Sequence, residues 1–483
     1  MITMSLVEVP DFLEPVNGEI WFRFDSPQSG LKDFKYIVKL FGASEPQLLN
    51  YSNLGKYKLP PRPVEGSALF SPDKMLRTMF DNNVNPFQKG WFSNFAGATA
   101  AGITKGLVGY KLEYGFELDP QTEWVDTYFT NGNLGLTFSA THSFQVGDII
   151  LLDKDNKQVN RQYDGTASVI SVVNSYHIEL NKLWGENTNN EGGVIRSLYR
   201  FPLGSSNDFY GFDGTRQYDE REKDFITYSV GTFNNYGEYL TDWDFSKYEK
   251  KIRLGEYETI SMIATTFSRA GLAMGYITKD NSGATVSSGG SIISATNSFS
   301  RLDYGVGTQN LVDTFSINYM NVKNYEFRLL NLGSQEVARR LKYIIDDDCS
   351  PYDDYVRLCW KNRKGGWDYF SFIMDTKRTV SVERKKYKKI LDYNYKIGDR
   401  GQTVYAVKSD DLYTINSNWI SEYEAEFLEN CITSPEVFML VDKQKFPVII
   451  ENNSYEIQTY MRSGLIRVSL DVRMAFNKRI QND

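Results

Sequence analysis

The stretch Val356 to Met374, VRLCWKNRKGGWDYFSFIM, constrains the fold more tightly than any other part of the chain. Val356, Leu358 and Trp360 alternate with Arg357 and Lys361, and Trp367, Tyr369, Ser371 and Ile373 interleave with Phe370, Phe372 and Met374. A period of two marks a strand whose successive side chains point to opposite faces. Between the two runs lie Asn362, Arg363, Lys364, Gly365 and Gly366, where paired glycines take the positive φ of a tight turn without a Cβ clash. The stretch therefore predicts a two-stranded hairpin, bulky on both faces of its second strand and covered on both sides. Trp360, Gly365, Gly366 and Trp367 define it and form a candidate assembly hairpin.

Most of the chain speaks the same language. Aromatics make up 14% of it, with 32 Tyr and 30 Phe, and large rings suit a pleated, half-buried surface better than a helix surface. The expected class is mainly β, as several antiparallel sandwiches or barrels with a few short helices. At 483 residues one core is not enough, since domains run to about 150 residues. Turn-rich punctuation divides the chain into four expected parts: a β domain over 1–130 with one short helix, an inserted small β-barrel over 131–198, an aromatic-rich β domain over 199–330, and an α+β domain over 331–483.

Within the first part, EIWFRFD at Glu19 to Asp25 and FKYIVKLF at Phe34 to Phe41 read as consecutive strands, and the proline-rich Tyr57 to Pro63 as an edge or linker. Ser71 and Pro72 look like the cap and first residue of a helix carrying Met75, Leu76, Met79 and Phe80. Phe95 to Gly109, with Phe95, Gly97, Gly102 and Lys105, reads as a small-residue arm or loop for an intersubunit contact, with a membrane-active segment as the other reading. In the barrel part, Asp153, Asp155 and Asp164 imitate a calcium loop, but Lys157 stands at a ligand place and Gln158 where a glycine is needed, so a turn is expected. In the third part, Lys279 to Asn297 is rich in Ser and Gly and predicts a long exposed loop, with Gly289 and Gly290 as intersubunit candidates.

The fourth part opens on Ser334 to Asp348, where Val337, Leu341, Ile344 and Ile345 recur at helical spacing behind a possible Ser334 cap, so a helix is expected. Asp346, Asp347, Asp348, Asp353 and Asp354 then cluster, which reads as a solvated helix end rather than a cation site. Ser421-Glu422-Tyr423-Glu424 matches a capping box opening a helix through Cys431, and the remainder reads as an antiparallel meander.

Charge and chemistry narrow the function. A net charge of −7 argues against a general nucleic-acid binder, which needs surplus cations to displace counterions. One segment runs the other way: Lys377, Arg378, Arg384, Lys385, Lys386, Lys388 and Lys389 crowd into thirteen residues, as a face for phosphate or for an acidic partner. Cys349, Cys359 and Cys431 have neither disulfide nor zinc spacing, so reduced thiols and a cytoplasmic site of folding are expected. No leader pattern and no apolar run of ~18 residues appears, so no membrane step is expected. Only His142 and His177 exist, and no phosphate loop, dinucleotide fingerprint or nucleophile elbow is present, so no catalytic residue, metal or cofactor is assigned and the chain is expected not to be an enzyme.

Several pieces together resemble virion proteins of tailed bacteriophages that infect Bacteroidetes, of the crAss-like group: GEIWFRFDSP with FKYIVKL, GSALFSPDKML, YVRLCWKNRKGGWDYFSF, and SPEVFML with IRVSLDVRMAF. The resemblance implies a structural protein of the neck or tail. Its copies would form a homo-oligomeric ring or hub, in a multiple of six, with portal, neck and tail proteins as neighbours, and passing DNA would be touched without base reading. A ring needs two different faces on each copy that meet head to tail. Two other readings stand beside it: a receptor-binding or fibre protein that stacks aromatics on host glycans, and a polysaccharide depolymerase that uses a carboxylate pair.

Overall fold

The protein is seen in a computed structural model that describes residues 4–18, 20–43, 51–80, 86–87, 91–93, 106–120, 122–130, 133–153, 165–183, 193–217, 225–230, 237–264, 272–293, 300–331, 334–346, 355–390, 393–398, 401–452, 465–476 and 479–482. It is mainly β, with antiparallel and mixed sheets and three α-helices among the described residues. Two compact units emerge, one from Met1–Phe80, Leu107–Phe212 and Gln217–Asp224, the other from Asp81–Gly106, Asp213–Arg216 and Phe225–Asp483. The expected boundaries at 131, 199 and 331 fall inside these units: the strands on either side of 131 and of 331 pair with each other, and 199 lies within the single strand Gly193–Ser205.

In the first unit the long Leu107–Leu118 strand joins two halves of one sheet. On one side it pairs with Lys35–Ala43, which in turn pairs with the edge strand Ser52–Leu59. On the other side lies Gly193–Ser205, and there Gly115 is required because a Cβ would stand 2.1 Å from the Arg200 carbonyl oxygen. Six strands then close a ring: Thr122–Thr130, Asn133–Phe138, His177–Leu183, Gly165–Asn174, Ile149–Asp153 and Gly193–Ser205, the last returning to the first. Closure removes the free edges of these strands, and alternation fills the ring. Leu134, Leu136, Ile150, Leu152, Val169, Ile178 and Leu180 are buried, while Ile149, Leu151, Ile170 and Val172 between them are exposed.

Arg200 closes the barrel's polar account, its Nε 2.6 Å from Asp148 Oδ1 and its Nη2 2.7 Å from Oδ2, with both side chains nearly solvent-free. The two consecutive strands expected near the N-terminus do not pair with each other. Phe22–Asp25 belongs to a separate three-stranded sheet with Ser5–Glu8 and Ala68–Phe70, which buries Phe22 and Phe24. The helix expected at Ser71 runs Asp73–Arg77 with Pro72 at the cap position, and Ser71 Oγ donates to Asp73 Oδ1 instead of capping.

The second unit is built on a four-, a five- and an eight-stranded sheet around one core. Thr259–Ala264 is buried at every position and pairs with Ser300–Gly305. The expected hairpin is present, Val356–Lys361 against Trp367–Phe372, and Val356–Lys361 pairs on its other side with Val437–Val441. The capping box is present too: the Glu424 N–H donates to Ser421 Oγ at 3.3 Å, the Ser421 N–H donates to Glu424 Oε2 at 2.8 Å, and the helix runs Glu422–Thr433.

Two expectations in this unit are corrected. The helix expected over Ser334 to Asp348 is absent; Leu341–Ile345 is a strand between Asn324–Asn331 and Lys250–Ile252. Leu341, Tyr343 and Ile345 point inward at a period of two, a pattern that the helical spacing of Val337, Leu341 and Ile344 also accommodates. With backbone partners on both sides, the β-branched and aromatic residues go to the sheet. Ser334 caps nothing and sits at φ 59°. The long loop expected over Lys279 to Asn297 is mostly the second strand of a hairpin, Thr285–Ile293 against Leu272–Lys279. Asp280 makes its turn by accepting from the Ser282 and Ala284 N–H groups.

Candidate assembly surfaces

The sequence proposed four places where another molecule would touch this chain: the hairpin turn, Phe95 to Gly109, Lys279 to Asn297 and Lys377 to Lys389. Around the hairpin turn, Gly365 takes φ 81° and its N–H donates to the Asn362 carbonyl. Asn362 holds the turn, with Oδ1 accepting from the Gly366 N–H and Nδ2 donating to the Leu240 carbonyl and to Asp368 Oδ2. A Cβ on Gly366 would stand 1.7 Å from the Leu240 oxygen, so only glycine fits. Trp360 is 0% exposed and packs 5.2 Å from Phe427, and Trp367 is 3% exposed. These four residues are buried within the unit.

Behind this hairpin lies the densest polar cluster of the unit. Arg357 donates to Glu256 Oε2 at 2.6 Å, to Glu258 Oε2 at 2.9 Å, to Ser371 Oγ at 2.7 Å and to the Tyr257 carbonyl at 3.2 Å. Glu258 Oε1 accepts from Lys250 Nζ at 2.8 Å and from the Tyr343 hydroxyl at 3.0 Å. Burial would lower the Arg357 pKa, and the two carboxylates more than reverse that. A cavity of about 60 Å³ beside the cluster, lined in part by Arg357, Ser371, Ile373, Trp419 and Ile420, has room for a water or two. Every charged group here is matched, so the cluster's chemistry is that of a lock between strands. A second carboxylate site lies nearby, where burial and the neighbouring Asp242 raise the Asp368 pKa to about 6.

Gly289 and Gly290 lie on the edge strand Thr285–Ile293, where a Cβ on Gly290 would stand 2.6 Å from the Met274 carbonyl oxygen. Their role inside the chain is close packing against the neighbouring strand. The strand carries no charged residue, its other edge pairs with no strand among the described residues, and its positions are mostly exposed. Phe95, Gly97, Gly102 and Lys105 lie outside the described residues, as do Asp155, Asp164, Cys349 and the acidic positions 347, 348, 353 and 354.

The basic segment is the surface that stands out. Lys377–Lys388 is an edge strand exposed at all twelve positions, and it pairs with Gln402–Asn416 from Lys377↔Thr414 to Lys388↔Gln402, with a bulge at Lys385/Lys386. At about 3.3 Å per residue the ribbon is roughly 40 Å long. Gln402–Asn416 is backed on its other side by Ser469–Met474 from Leu412 onward and by Arg479–Asn482 over Ala406 to Ser409. Past Ala406 the ribbon has two strands alone among the described residues.

At the ribbon's end Ile390 is 94% exposed, Tyr393 97% and Ile397 106%. Arg378 is held by Asp411, which raises its pKa, while Lys377, Arg384, Lys385, Lys386, Lys388 and Lys389 form no ion pair among the described residues. Alternation puts Arg378, Arg384, Lys386 and Lys388 on one face and Lys377 and Lys385 on the other. The sequence revealed the charge but not the arm, because neither the ribbon's length nor its lack of backing is a local property.

No helix among the described residues is long and apolar enough to cross a membrane. Compared with known families and with curated proteins, the chain finds no match: no family model fits it, and no curated protein is similar to it.

Proposed function

We propose that this chain is a structural protein of a tailed-phage virion, a subunit of an oligomeric ring or hub in the neck or tail that lines or supports the channel for DNA. The observation that carries the reading is the Lys377–Lys388 arm. A ribbon exposed along its whole length, ending in Ile390, Tyr393 and Ile397 almost fully in solvent, leaves apolar surface uncovered in a solitary molecule. Such surface is expected of a subunit that completes itself against others. Its cations suit an acidic face on a neighbouring subunit, and any left uncovered would touch passing phosphates only weakly, without holding the genome back. The mainly β build and the resemblance of the terminal and hairpin segments to crAss-like virion proteins support the same reading.

The test is to purify virions from an infected Bacteroidetes host and quantify the chain by mass spectrometry against a protein of known copy number. A multiple of six copies per particle is expected, with density in the neck or tail. Absence from particles, or a trimer confined to tail tips, would overturn the reading.

A further inference from the structure

The arm's occupant is open to argument from the chain's own chemistry. Its stem is basic and its tip apolar, so the receiving surface must be acidic beside an apolar patch. Outside the stem the chain is strongly acidic, since a net charge of −7 already includes the seven cations between Lys377 and Lys389. On the Glu422–Thr433 helix, Glu422, Glu426 and Glu429 are exposed at spacings of four and three, which puts them on one stripe. None of the three forms an ion pair among the described residues. Just before that helix Trp419 is 54% exposed, and it shares the small cavity's lining with Phe370, Ile373 and Ile420.

The dimensions agree. The acidic stripe runs over eight residues of helix, roughly 10 Å, and Arg384 to Lys388 on one ribbon face span about 13 Å of strand. The order agrees as well: apolar tip then basic stem on the arm, apolar Trp419 then acidic stripe on the helix. We infer that the arm of one copy docks on the Glu422–Thr433 helix of a second copy of this chain, its tip residues against Trp419 and the Arg384, Lys386 and Lys388 cations of one ribbon face along Glu422, Glu426 and Glu429. The two faces differ, so the contact is head to tail and closes into a ring or extends, as a ring subunit requires. Nucleic acid is the poorer occupant. A phosphate track has no use for Ile390 and Ile397, which an apolar patch beside the acidic stripe would cover. The inference deepens the ring reading and rests on it for its biological setting, although the contact itself is a property of the purified chain.

The experiment is sedimentation of the full-length protein over a concentration series. Wild type is expected to self-associate. Ile390→Asp with Ile397→Asp, Lys385→Glu with Lys386→Glu, and Glu426→Lys with Glu429→Lys should each weaken association by about tenfold or more, with unchanged melting temperatures because every altered side chain is exposed. Mixing the Lys385→Glu/Lys386→Glu protein with the Glu426→Lys/Glu429→Lys protein should restore a heterologous complex, since the unaltered arm of the second then meets the unaltered helix of the first.

Wild type that stays monomeric, association indifferent to the arm, or no rescue on mixing would overturn the inference. So would duplex DNA binding that is lost in Lys385→Glu/Lys386→Glu and kept in Ile390→Asp/Ile397→Asp, without self-association. The two readings fail separately. A chain found in virions whose assembly ignores these variants loses only the docking contact, and a chain that self-associates through the arm yet never enters a particle loses only the virion role.

Discussion

Arg357 and Glu258 meet in the interior of the second unit, Nη2 to Oε2 at 2.9 Å, with about a hundred residues of chain between them. The same guanidinium holds Glu256, so one cation from the hairpin ties down two carboxylates from the segment that leads into Thr259–Ala264. All three side chains are nearly solvent-free.

Removing that cation leaves two buried carboxylates facing each other. Arg357→Ala should destabilise the protein by about 3–5 kcal/mol, read as a lower urea midpoint, because an unpaired buried charge costs far more than the intact pair contributes. Adding Glu256→Gln and Glu258→Gln to that variant should recover part of the loss. A variant as stable as wild type would show that the cluster is not buried as described.

Gly366 faces the Leu240 carbonyl with no room for a methyl group. Gly366→Ala must push the Leu240 segment away and break the Asn362 bond to its oxygen, so a loss of several kcal/mol, about 3 or more, is expected. Lys364→Ala in the same turn should cost less than about 1 kcal/mol, since its ion pair with Glu238 is long at 3.8 Å. Equal effects of the two substitutions in thermal melts would refute the packing argument.

Cys359 and Cys431 are fully buried thiols, and burial pushes the Cys359 pKa up to about 12 and that of Cys431 well above its usual value. Thiolate is the reactive form, so neither should react with an aromatic disulfide reagent at pH 8 until the chain is unfolded. Mapping the modified cysteines by mass spectrometry before and after denaturation checks this, and rapid labelling of either one in the native protein would contradict it.

Asp368 gives the second unit a pH dependence of definite sign. Its pKa is about 6 in the folded protein against 3.8 ordinarily, chiefly from burial and then from Asp242. The folded state therefore binds the extra proton between these values, and this residue's contribution to stability is present below about pH 4 and lost as pH rises through 6. Asp368→Asn should flatten that fall when urea midpoints are compared between pH 4.5 and 7, whatever its effect on absolute stability. A slope identical to wild type would remove Asp368 as the source.

How far the fold could be read in advance depended on the range of the information. Lys279 to Asn297 was legible as polar and small, but its strand exists because Leu272–Lys279 lies alongside to pair with it. The hairpin was legible as covered on both faces, but the groups that cover it, Phe427 against Trp360 and Phe438 against Trp367, come from far along the chain.

By itself the amino-acid order determined the hairpin turn, the Ser421 cap, the concentration of cations between Lys377 and Lys389 and the mainly β class. Each of these is set by residues within a few positions of one another, through φ preferences, side-chain bonds to nearby amides and a period of two. Tertiary structure alone decided that Leu341–Ile345 is a strand, that Thr122–Thr130 and Gly193–Ser205 complete the ring of the barrel, that Arg357 serves two distant glutamates and that the basic segment stands out as an arm. Those outcomes depend on which backbone edge or charge arrives from far along the chain to complete a hydrogen-bond ladder or an ion pair, and no local pattern carries that choice.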